Sequence, residues 1–229
     1  MKIFNLGLKI EPGKYKYKCD KFDKLVLKFA PQKITPYSVE FIETDLEKCD
    51  AIVFDIEKKL DLIVIDLDKI EKRILKTEDE KEKQVLNKAL EKLEEESLLC
   101  DLDFTEEESL ILKTLQLVTY KPSIERSNVE DLNCLIKEVL KKAEIILFFT
   151  AGKKEVHAWS LEKGSSILEA AGKIHSDLKR GFIRADVVNC SELDNFFNLA
   201  EAKAKGFIKT YNRDYITEEN DILDIKFSV

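Results

Sequence analysis

The chain has 229 residues, of which 44% are hydrophobic and 36% are charged, and its formal net charge is -7. This apolar content suffices for one large or two small globular domains, which excludes a disordered or fibrous protein. The negative charge excludes a general polyanion-binding protein, so any contact with nucleic acid has to be local.

The sequence pattern of the N-terminal zone, residues 1–60, is typical of a small α/β unit. Short apolar runs predict strands, and one amphipathic segment predicts a helix over 20–29. The predicted strands cover residues 1–8, 14–18, 38–42 and 51–56.

The stretch from Gly7 to Lys16 invites comparison with a phosphate-binding loop, which reads G-x-x-x-x-G-K-[ST]. Five residues separate Gly7 from Gly13, and Tyr15 stands where the motif needs a hydroxyl residue. The lysines and tyrosines that follow alternate as in a strand, whereas the motif leads into a helix. We therefore predict that Gly13 begins a strand.

The middle zone, residues 61–117, is helical in pattern and rich in Glu and Lys. Apolar residues recur at spacings of three or four on both sides of a polar break at 77–79, which predicts two antiparallel helices. Thr105 and Glu108 match a capping box, so a third helix should begin there and extend to about Leu117.

The last zone alternates strands and helices. We predict a helix from Asn128, a strand hairpin, and a long helix that ends at Gly181 in a left-handed cap. Its helices cover residues 128–142, 166–179 and 191–205, and its strands cover 145–150, 155–161, 182–188, 215–216 and 222–227. This order predicts a small mixed sheet wrapped around one helix, the β-grasp arrangement.

Cysteine usage and hydropathy indicate the cellular compartment in which the protein acts. The cysteines are Cys19, Cys49, Cys100, Cys134 and Cys190. Their odd number and wide spacing argue against a disulfide framework and a zinc site. The sequence has neither a signal-type segment nor an apolar run near ~20 residues. We expect free thiols, no bound metal, no membrane contact and a cytoplasmic location.

The last zone resembles the TGS domain that ends the YchF branch of the Obg-like ATPases. The resemblance rests on FFTAGKKEVHAWSLEKGSSILEAAGKIHSDLKRGFIRADVV (148–188) and on DYITEENDILDIKFSV (214–229). Upstream, LDLIVIDLDKIEKRI (60–74) resembles the start of the family's inserted helical hairpin, a short coiled coil.

The resemblance implies a fold class and domain boundaries. It implies the α/β remnant of a P-loop GTPase-like domain with an inserted antiparallel helical hairpin, followed by a β-grasp (TGS) domain. The expected boundaries are 1–60 plus 118–144 for the truncated α/β domain, 61–117 for the hairpin and 145–229 for the TGS domain.

The N-terminal zone is similar to a nucleotide-binding domain from which parts are missing. Residues 10–20 resemble the family's switch I and second strand, and 21–45 resemble the stretch leading to its third strand. The phosphate loop, its lysine and the switch II segment have no counterpart, so we expect a pseudo-GTPase with no cofactor and no catalytic residue. The alternative is a protein that still binds ATP or GTP with Mg²⁺.

The family's base-reading segment survives in outline as SNVE, residues 127–130. Asn128 and Glu130 are therefore the candidates for a nucleotide contact. For Asn128 we favour a role as helix cap.

Lysines on the second predicted strand are candidates for a partner-binding stripe. Lys14, Lys16 and Lys18 alternate with Tyr15 and Tyr17, which separates cations from aromatic rings. An RNA-binding stripe would have this pattern. We favour a lysine-protected edge strand whose tyrosines point inward.

Basic residues of the last zone form the second set of partner candidates. These are Lys153, Lys154, Lys179, Arg180 and Arg184, near the predicted hairpin and helix end. His157 has no partner at metal-ligand spacing, so we expect a structural or surface role for it. His175, Ser176 and Asp177 are neighbours in sequence and do not form a triad, which is defined by spatial geometry, so we expect a structural role there.

Together these patterns predict a non-catalytic binding or regulatory protein related to YchF. Its TGS domain would act on a ribosomal, RNA or other protein partner, with the helical hairpin as another contact element. The alternatives are residual nucleotide binding or ATPase activity, and a homodimer that associates through the hairpin.

Overall fold

The computed structural model describes residues 1–228. The strands are β1 (Lys2–Leu6), β2 (Gly13–Lys16), β3 (Lys33–Thr35), β4 (Ser38–Ile42), β5 (Ala51–Asp55), β6 (Ser123–Arg126), β7 (Ile145–Ala151), β8 (Glu155–Glu162), β9 (Phe182–Asn189), β10 (Lys209–Tyr211) and β11 (Asp221–Phe227). The α-helices are α1 (Asp20–Phe29), α2 (Lys59–Ile74), α3 (Glu80–Glu94), α4 (Glu106–Thr114), α5 (Leu132–Lys142), α6 (Ile167–Ile174), α7 (Ser176–Arg180) and α8 (Leu199–Ala204). Shorter 3-10 helices cover Leu46–Lys48, Ile56–Lys58, Leu99–Asp101 and Cys190–Asn195.

These elements form two compact units, and the sequence crosses between them more than once. Unit 1 contains Met1–Tyr15 and Val39–Ala143, and unit 2 contains Lys16–Ser38 and Glu144–Val229. Residues 16–38, which we had assigned to the N-terminal domain, thus pack with the C-terminal zone.

Unit 1 is built on a five-stranded sheet in the order β2-β4-β1-β5-β6. The strands β4, β1, β5 and β6 are parallel neighbours. Their carboxyl ends therefore lie along one edge of the sheet, where α/β proteins usually bind ligands.

The helices α2, α3 and α4 share one hydrophobic core with this sheet. Ile52 and Phe54 of β5 pack in this core with Leu62 of α2, Leu86 of α3 and Leu112 of α4, and all five are fully buried. The helices α2 and α3 pack against each other, and residues 75–79 between them include the predicted polar break.

A buried carboxylate fixes the segment that leads into β6. Asp66 of α2 is fully buried and accepts hydrogen bonds from Val118 N at 3.0 Å, from Thr119 N at 2.7 Å and from Thr119 Oγ1 at 2.6 Å. Burial raises the pKa of Asp66, and these three donors act in the opposite direction because they favour the charged form.

Unit 2 is built on a six-stranded mixed sheet in the order β10-β9-β11-β7-β8-β3. The outer strand β3 pairs in parallel with β8, and β11 pairs in parallel with β7, whereas the other described pairs are antiparallel. The helix α6 lies on one face, where Ala170 and Ala171 pack with Phe148 and Leu161. The predicted mixed sheet is confirmed, and it packs with a second helix, α1, in addition to α6.

The helix α1 also belongs to unit 2. Its predicted bounds agree with the structure, and its Phe22 ring lies 6.0 Å from the Phe149 ring of β7. The short strand β3 follows and pairs Lys33 with Glu155 of β8. This packing explains why residues 16–38 leave unit 1.

Several local predictions are wrong. The sequence did not indicate β3, β6 or β10, each of which has three or four residues. The predicted helix over 166–179 is divided at His175, which is extended, and Gly181 has φ -94° instead of a left-handed cap. A Cβ at Gly181 would lie 2.2 Å from Ser228 O, so a close backbone approach explains this glycine.

Two further features of the described residues, 1–228, concern membranes and metals. None of their helices combines the length and apolar character needed to cross a membrane. Within the same residues, no group of three or more His, Cys, Asp or Glu side chains is arranged to hold a metal ion.

The Asp66 hydrogen bonds lead to a stability prediction. Asp66→Ala leaves two buried backbone N–H groups unpaired, so we expect the free energy of unfolding to fall by about 3 kcal/mol. Asp68→Ala is the matched control, because Asp68 lies exposed on the same helix in an ion pair with Lys72. That change should cost about 0.5 kcal/mol or less. Urea unfolding followed by circular dichroism measures both, and equal losses would contradict the assigned role of Asp66.

Candidate functional site

The first candidate site is the carboxyl edge of the unit 1 sheet. After β1 the chain places β2 and β4 on one side of β1, and then β5 and β6 on the other side. The strand order therefore changes side at β1, between its neighbours β4 and β5. Such a switch point opens a crevice between the two loops that follow β1 and β5.

Gly7 lies at this switch point, directly after β1. Its φ is +87°, and a Cβ there would lie 3.1 Å from Lys58 Cγ and 3.3 Å from Asp55 Cβ. Only glycine therefore satisfies both the backbone conformation and the narrow space. Aliphatic carbons of Lys58 and Asp55 therefore border the bare backbone of Gly7.

The loop after Gly7 is a closed turn. Asn5 is buried, and its amide nitrogen donates to Leu8 O at 2.9 Å and to Ile10 O at 3.1 Å, while Leu8 N donates to Asn5 Oδ1. Gly13 then begins β2, so the prediction that Gly13 and Lys14 belong to a strand is confirmed.

The other side of the crevice is the start of the helical segment after β5. Asp55 Oδ1 accepts a hydrogen bond from Glu57 N and caps this segment. Lys58 Nζ lies 3.2 Å from Asp61 Oδ2, and Lys59 Nζ lies 3.8 Å from Glu125 Oε2. Sequence analysis missed Asp55 and Lys58, since only the parallel pairing brings them beside Gly7.

Asn128 and Glu130 follow β6 and are both exposed. They come after the strand that lies beside β5, at the same edge of the sheet. The favoured role of Asn128 as a helix cap is wrong, because α5 begins at Leu132 and Asp131 is its cap.

The lysines of the second strand lie at the edge of the unit 1 sheet. The strand β2 is the outermost strand, with Lys14 and Lys16 exposed and Tyr15 half-buried. The Tyr15 ring lies 5.5 Å from the Phe41 ring, and its hydroxyl donates to Glu11 O. Lys18 follows the strand and is also exposed. This geometry agrees with a lysine-protected edge.

The second candidate site is one end of the unit 2 sheet. Lys153 and Lys154 form the turn between β7 and β8, α7 ends directly before β9, and β11 ends beside the start of β9. We call the exposed cations of this region the basic end: Lys33, Lys153, Lys154, Lys179, Arg180, Arg184 and Lys226. Sequence analysis missed Lys33 and Lys226, which reach this end through strand pairing.

The histidines have local structural partners. The His157 ring stacks on the Trp159 ring with 3.7 Å between centroids, and its Nδ1 lies 3.5 Å from Glu155 Oε1. His175 Nδ1 accepts a hydrogen bond from Asp177 N at the start of α7. Neither contact places a nucleophile, a general base and an orienting acid together as a catalytic triad requires.

The described cysteines are all free thiols. Burial raises the pKa of Cys49 and Cys100, and it raises that of Cys190 to about 12. These three thiols therefore stay protonated at neutral pH and are poor nucleophiles.

Comparison with protein families matches the C-terminal part of the chain. The family model YchF-GTPase_C, described as "Protein of unknown function (DUF933)", matches residues 145–228. A solved structure, "Structure of the Schizosaccharomyces pombe YchF GTPase", superposes with a TM-score of 0.82 at 17% identity, over 95% of this chain and 88% of that chain. That likeness concerns the fold alone.

Individual relatives match this chain over segments that are longer than the family model. "Ribosome-binding ATPase YchF" of Mycoplasma genitalium is 35% identical over 118 residues, which is 52% of this chain and 32% of that protein. Its namesake in Buchnera aphidicola subsp. Schizaphis graminum is 41% identical over 98 residues, 43% of this chain and 27% of that protein. "Obg-like ATPase homolog" of Saccharomyces cerevisiae is 43% identical over 91 residues, 38% of this chain and 22% of that protein. The matched region thus spans less than a third of each of these relatives.

These names correct one expectation. We expected no cofactor because the phosphate loop and switch II have no counterpart, but the relatives are named ATPases and the superposed structure is named a GTPase. The expectation of no cofactor is therefore wrong. The names give no support to a non-catalytic protein, and they fit the nucleotide-binding alternative better.

The stacked His157 leads to a titration prediction. Burial lowers the pKa of His157 below its ordinary value of 6.5, so folding favours the neutral ring. The resulting stability is present above pH 6.5 and is lost as the pH falls through the folded pKa. Trp159 is the only tryptophan, so its emission should change with a midpoint below 6.5.

Each of the chain's two histidines provides a variant for this titration. His157→Gln should abolish the emission change, and His175→Gln should preserve it. A midpoint above 6.5, or a transition that survives in His157→Gln, would contradict the assignment.

Proposed function

We propose that this chain belongs to the family of YchF and the Obg-like ATPases and that it is a ribosome-binding protein of that family. The observation that carries the proposal is the match of unit 2 residues 145–228 to the YchF C-terminal model. One relative named for ribosome binding is 35% identical to this chain over 118 residues. A ribosome-binding protein would act in the cytoplasm.

Unit 2 is the main contact element in this proposal, as a TGS-type β-grasp domain. Its mixed sheet around α6 supports that interpretation. The pair α2 and α3 serves as the family's helical hairpin and as another contact element. Exposed apolar side chains on and just before α2, at Ile56, Leu60 and Val64, recur every four residues and support a docking role.

The ribosome proposal is tested by sedimentation. We expect the purified chain to pellet with ribosomes at about 50 mM salt and to be released progressively towards about 500 mM, because phosphate contacts weaken with salt. The chain alone, in the same gradients, controls for self-association. Absence from the ribosome fraction at low salt would contradict the proposal.

A second candidate function is the binding of ATP or GTP with Mg²⁺ at the carboxyl edge of the unit 1 sheet. The observation that favours it is the narrow cradle at Gly7, which a Cβ would fill. The side chains of Lys58 and Asp55 border this cradle through their aliphatic carbons, and the turn held by Asn5 follows it in place of a phosphate loop. The site therefore differs from the usual arrangement of P-loop proteins.

Four side chains at this edge are suited to contact a nucleotide: two for the phosphates and metal, and two for the base. Lys58 would neutralise a phosphate, and Asp55 would hold Mg²⁺, which often takes one or two carboxylates together with phosphate oxygens. Asn128 and Glu130 are the candidates for the base, since they follow β6 at the same edge. The bound metal would neutralise charge on the phosphates.

Calorimetric titration with ATP and with GTP, with and without Mg²⁺, tests this second function. We expect a dissociation constant on the order of micromolar, and a loss of at least about tenfold in Gly7→Ala. Gly152→Ala is the matched control, because nothing lies within 4 Å of a Cβ there. Binding that is absent in the unchanged chain, or equal in both variants, would contradict a site at Gly7.

A further inference from the structure

We propose that the basic end of unit 2 binds the phosphate backbone of RNA, an inference that rests on the proposed ribosome binding and gives it a surface. Over residues 145–229, Lys and Arg (12) nearly balance Asp and Glu (13), and residues 16–38 of unit 2 add six Lys and two Asp, so net charge alone gives little attraction. The argument depends instead on where the sheet places these charges.

Strand register brings the cations to one end of the sheet. Arg184 of β9 pairs with Lys226 of β11, and Lys33 of β3 pairs with the first residue of β8. The β7–β8 turn with Lys153 and Lys154 lies at the same end, because β11 runs parallel to β7. The basic end is therefore a product of pairing between segments that are distant in sequence.

Acidic residues collect at the opposite end. They flank the start of β7, the end of β8, the end of β9 and the start of β11, and include Glu144, Glu162, Glu192, Glu218, Glu219 and Asp221. Most charges of opposite sign are thus separated along the strands of unit 2, apart from Lys163 at the acidic end and the paired carboxylates Glu155, Asp177 and Asp224 at the basic end. Such a separation orients a polyanion towards one end and keeps it from the other.

The pairing of Arg184 with Lys226 is unfavourable for the fold itself. Like charges directly opposite each other on neighbouring strands destabilise a sheet. Lys226 is compensated by Asp224 at 2.6 Å, whereas Arg184 has no carboxylate within 4 Å among the described residues. An anionic partner would relieve this repulsion.

Four cations of the basic end have no ion pair within 4 Å in the described part of the chain: Lys153, Lys154, Lys179 and Arg184. The other three are paired, Lys33 with Glu155, Arg180 with Asp177 and Lys226 with Asp224. A phosphate can therefore bind the four without first breaking an internal ion pair.

The backbone that carries the turn lysines is held in place. Lys153 O accepts a hydrogen bond from Gln32 N, Lys154 O accepts one from Lys33 N, and Gly152 N donates to Glu155 O. Fixing the backbone before binding lowers the ordering cost of association. The turn is therefore a preorganised platform with two exposed amines.

The experiment measures binding of a labelled single-stranded RNA of about 16 nucleotides by fluorescence anisotropy, together with sedimentation with ribosomes. Four phosphate contacts predict that the logarithm of the RNA association constant falls with that of salt concentration at a slope of about -3. The triple variant Lys153→Gln, Lys154→Gln, Arg184→Gln should reduce this slope by about 2 and weaken RNA binding at least tenfold at low salt.

A matched triple variant removes the same charge elsewhere in unit 2: Lys163→Gln, Lys205→Gln, Lys209→Gln. These residues lie outside the basic end, so RNA affinity and the salt slope should stay close to those of the unchanged chain. Circular dichroism and thermal unfolding verify that both triple variants fold.

The outcomes separate this inference from the proposed function. Equal RNA affinity in the two triple variants would overturn the basic end as an RNA site, even if both pellet with ribosomes. Ribosome binding that requires the basic end, without any affinity for free RNA, would indicate an acidic protein surface as partner and would also overturn it. RNA binding that requires the basic end, without ribosome binding, would support the inference and contradict the proposed function.

Discussion

The parallel pairing of β1 with β4 constrains much of the rest of the molecule. Parallel neighbours require a connection that carries the chain back to the starting edge. Here that connection contains β2, α1 and β3, and the last two pack in unit 2. Phe22 and Leu25 of α1 are buried, so the connection adds apolar contacts to the C-terminal unit. One crossover therefore links the folding of residues 16–38 to a sheet whose other strands come much later in the sequence.

The same constraint determines where ligands can meet unit 1. Parallel strands end at a common edge, and the reversal of strand order between β1 and β5 brings Gly7 beside Asp55 and Lys58. The closed turn held by Asn5 occupies the position after β1 where a phosphate loop would begin in a P-loop protein. In unit 2 the mixed pairing has a different consequence, because it gathers cations at one end and carboxylates at the other.

Sequence patterns were most informative where many residues repeat one period. The apolar spacing of α2 and α3 and the capping box at Thr105 are strong local signals, and the structure contains all three features. Short elements gave no comparable signal. The strand β6 reads Ser-Ile-Glu-Arg, which carries one large apolar residue, and it is a strand because β5 supplies its hydrogen-bonding partner.

The amino-acid sequence by itself determined the α/β class, the resemblance of the last zone to YchF, the free cysteines and the longer helices. Each of these depends on composition, on local periodicity or on a long run of neighbouring residues that matches as a whole. Tertiary structure decided the assignment of residues 16–38 to unit 2, the cap of α5 at Asp131, the close approach at Gly181 and the neighbours of Gly7. It also decided which cations share the basic end. These features depend on pairing and packing between residues far apart in the chain, and a local pattern carries no record of such distant partners.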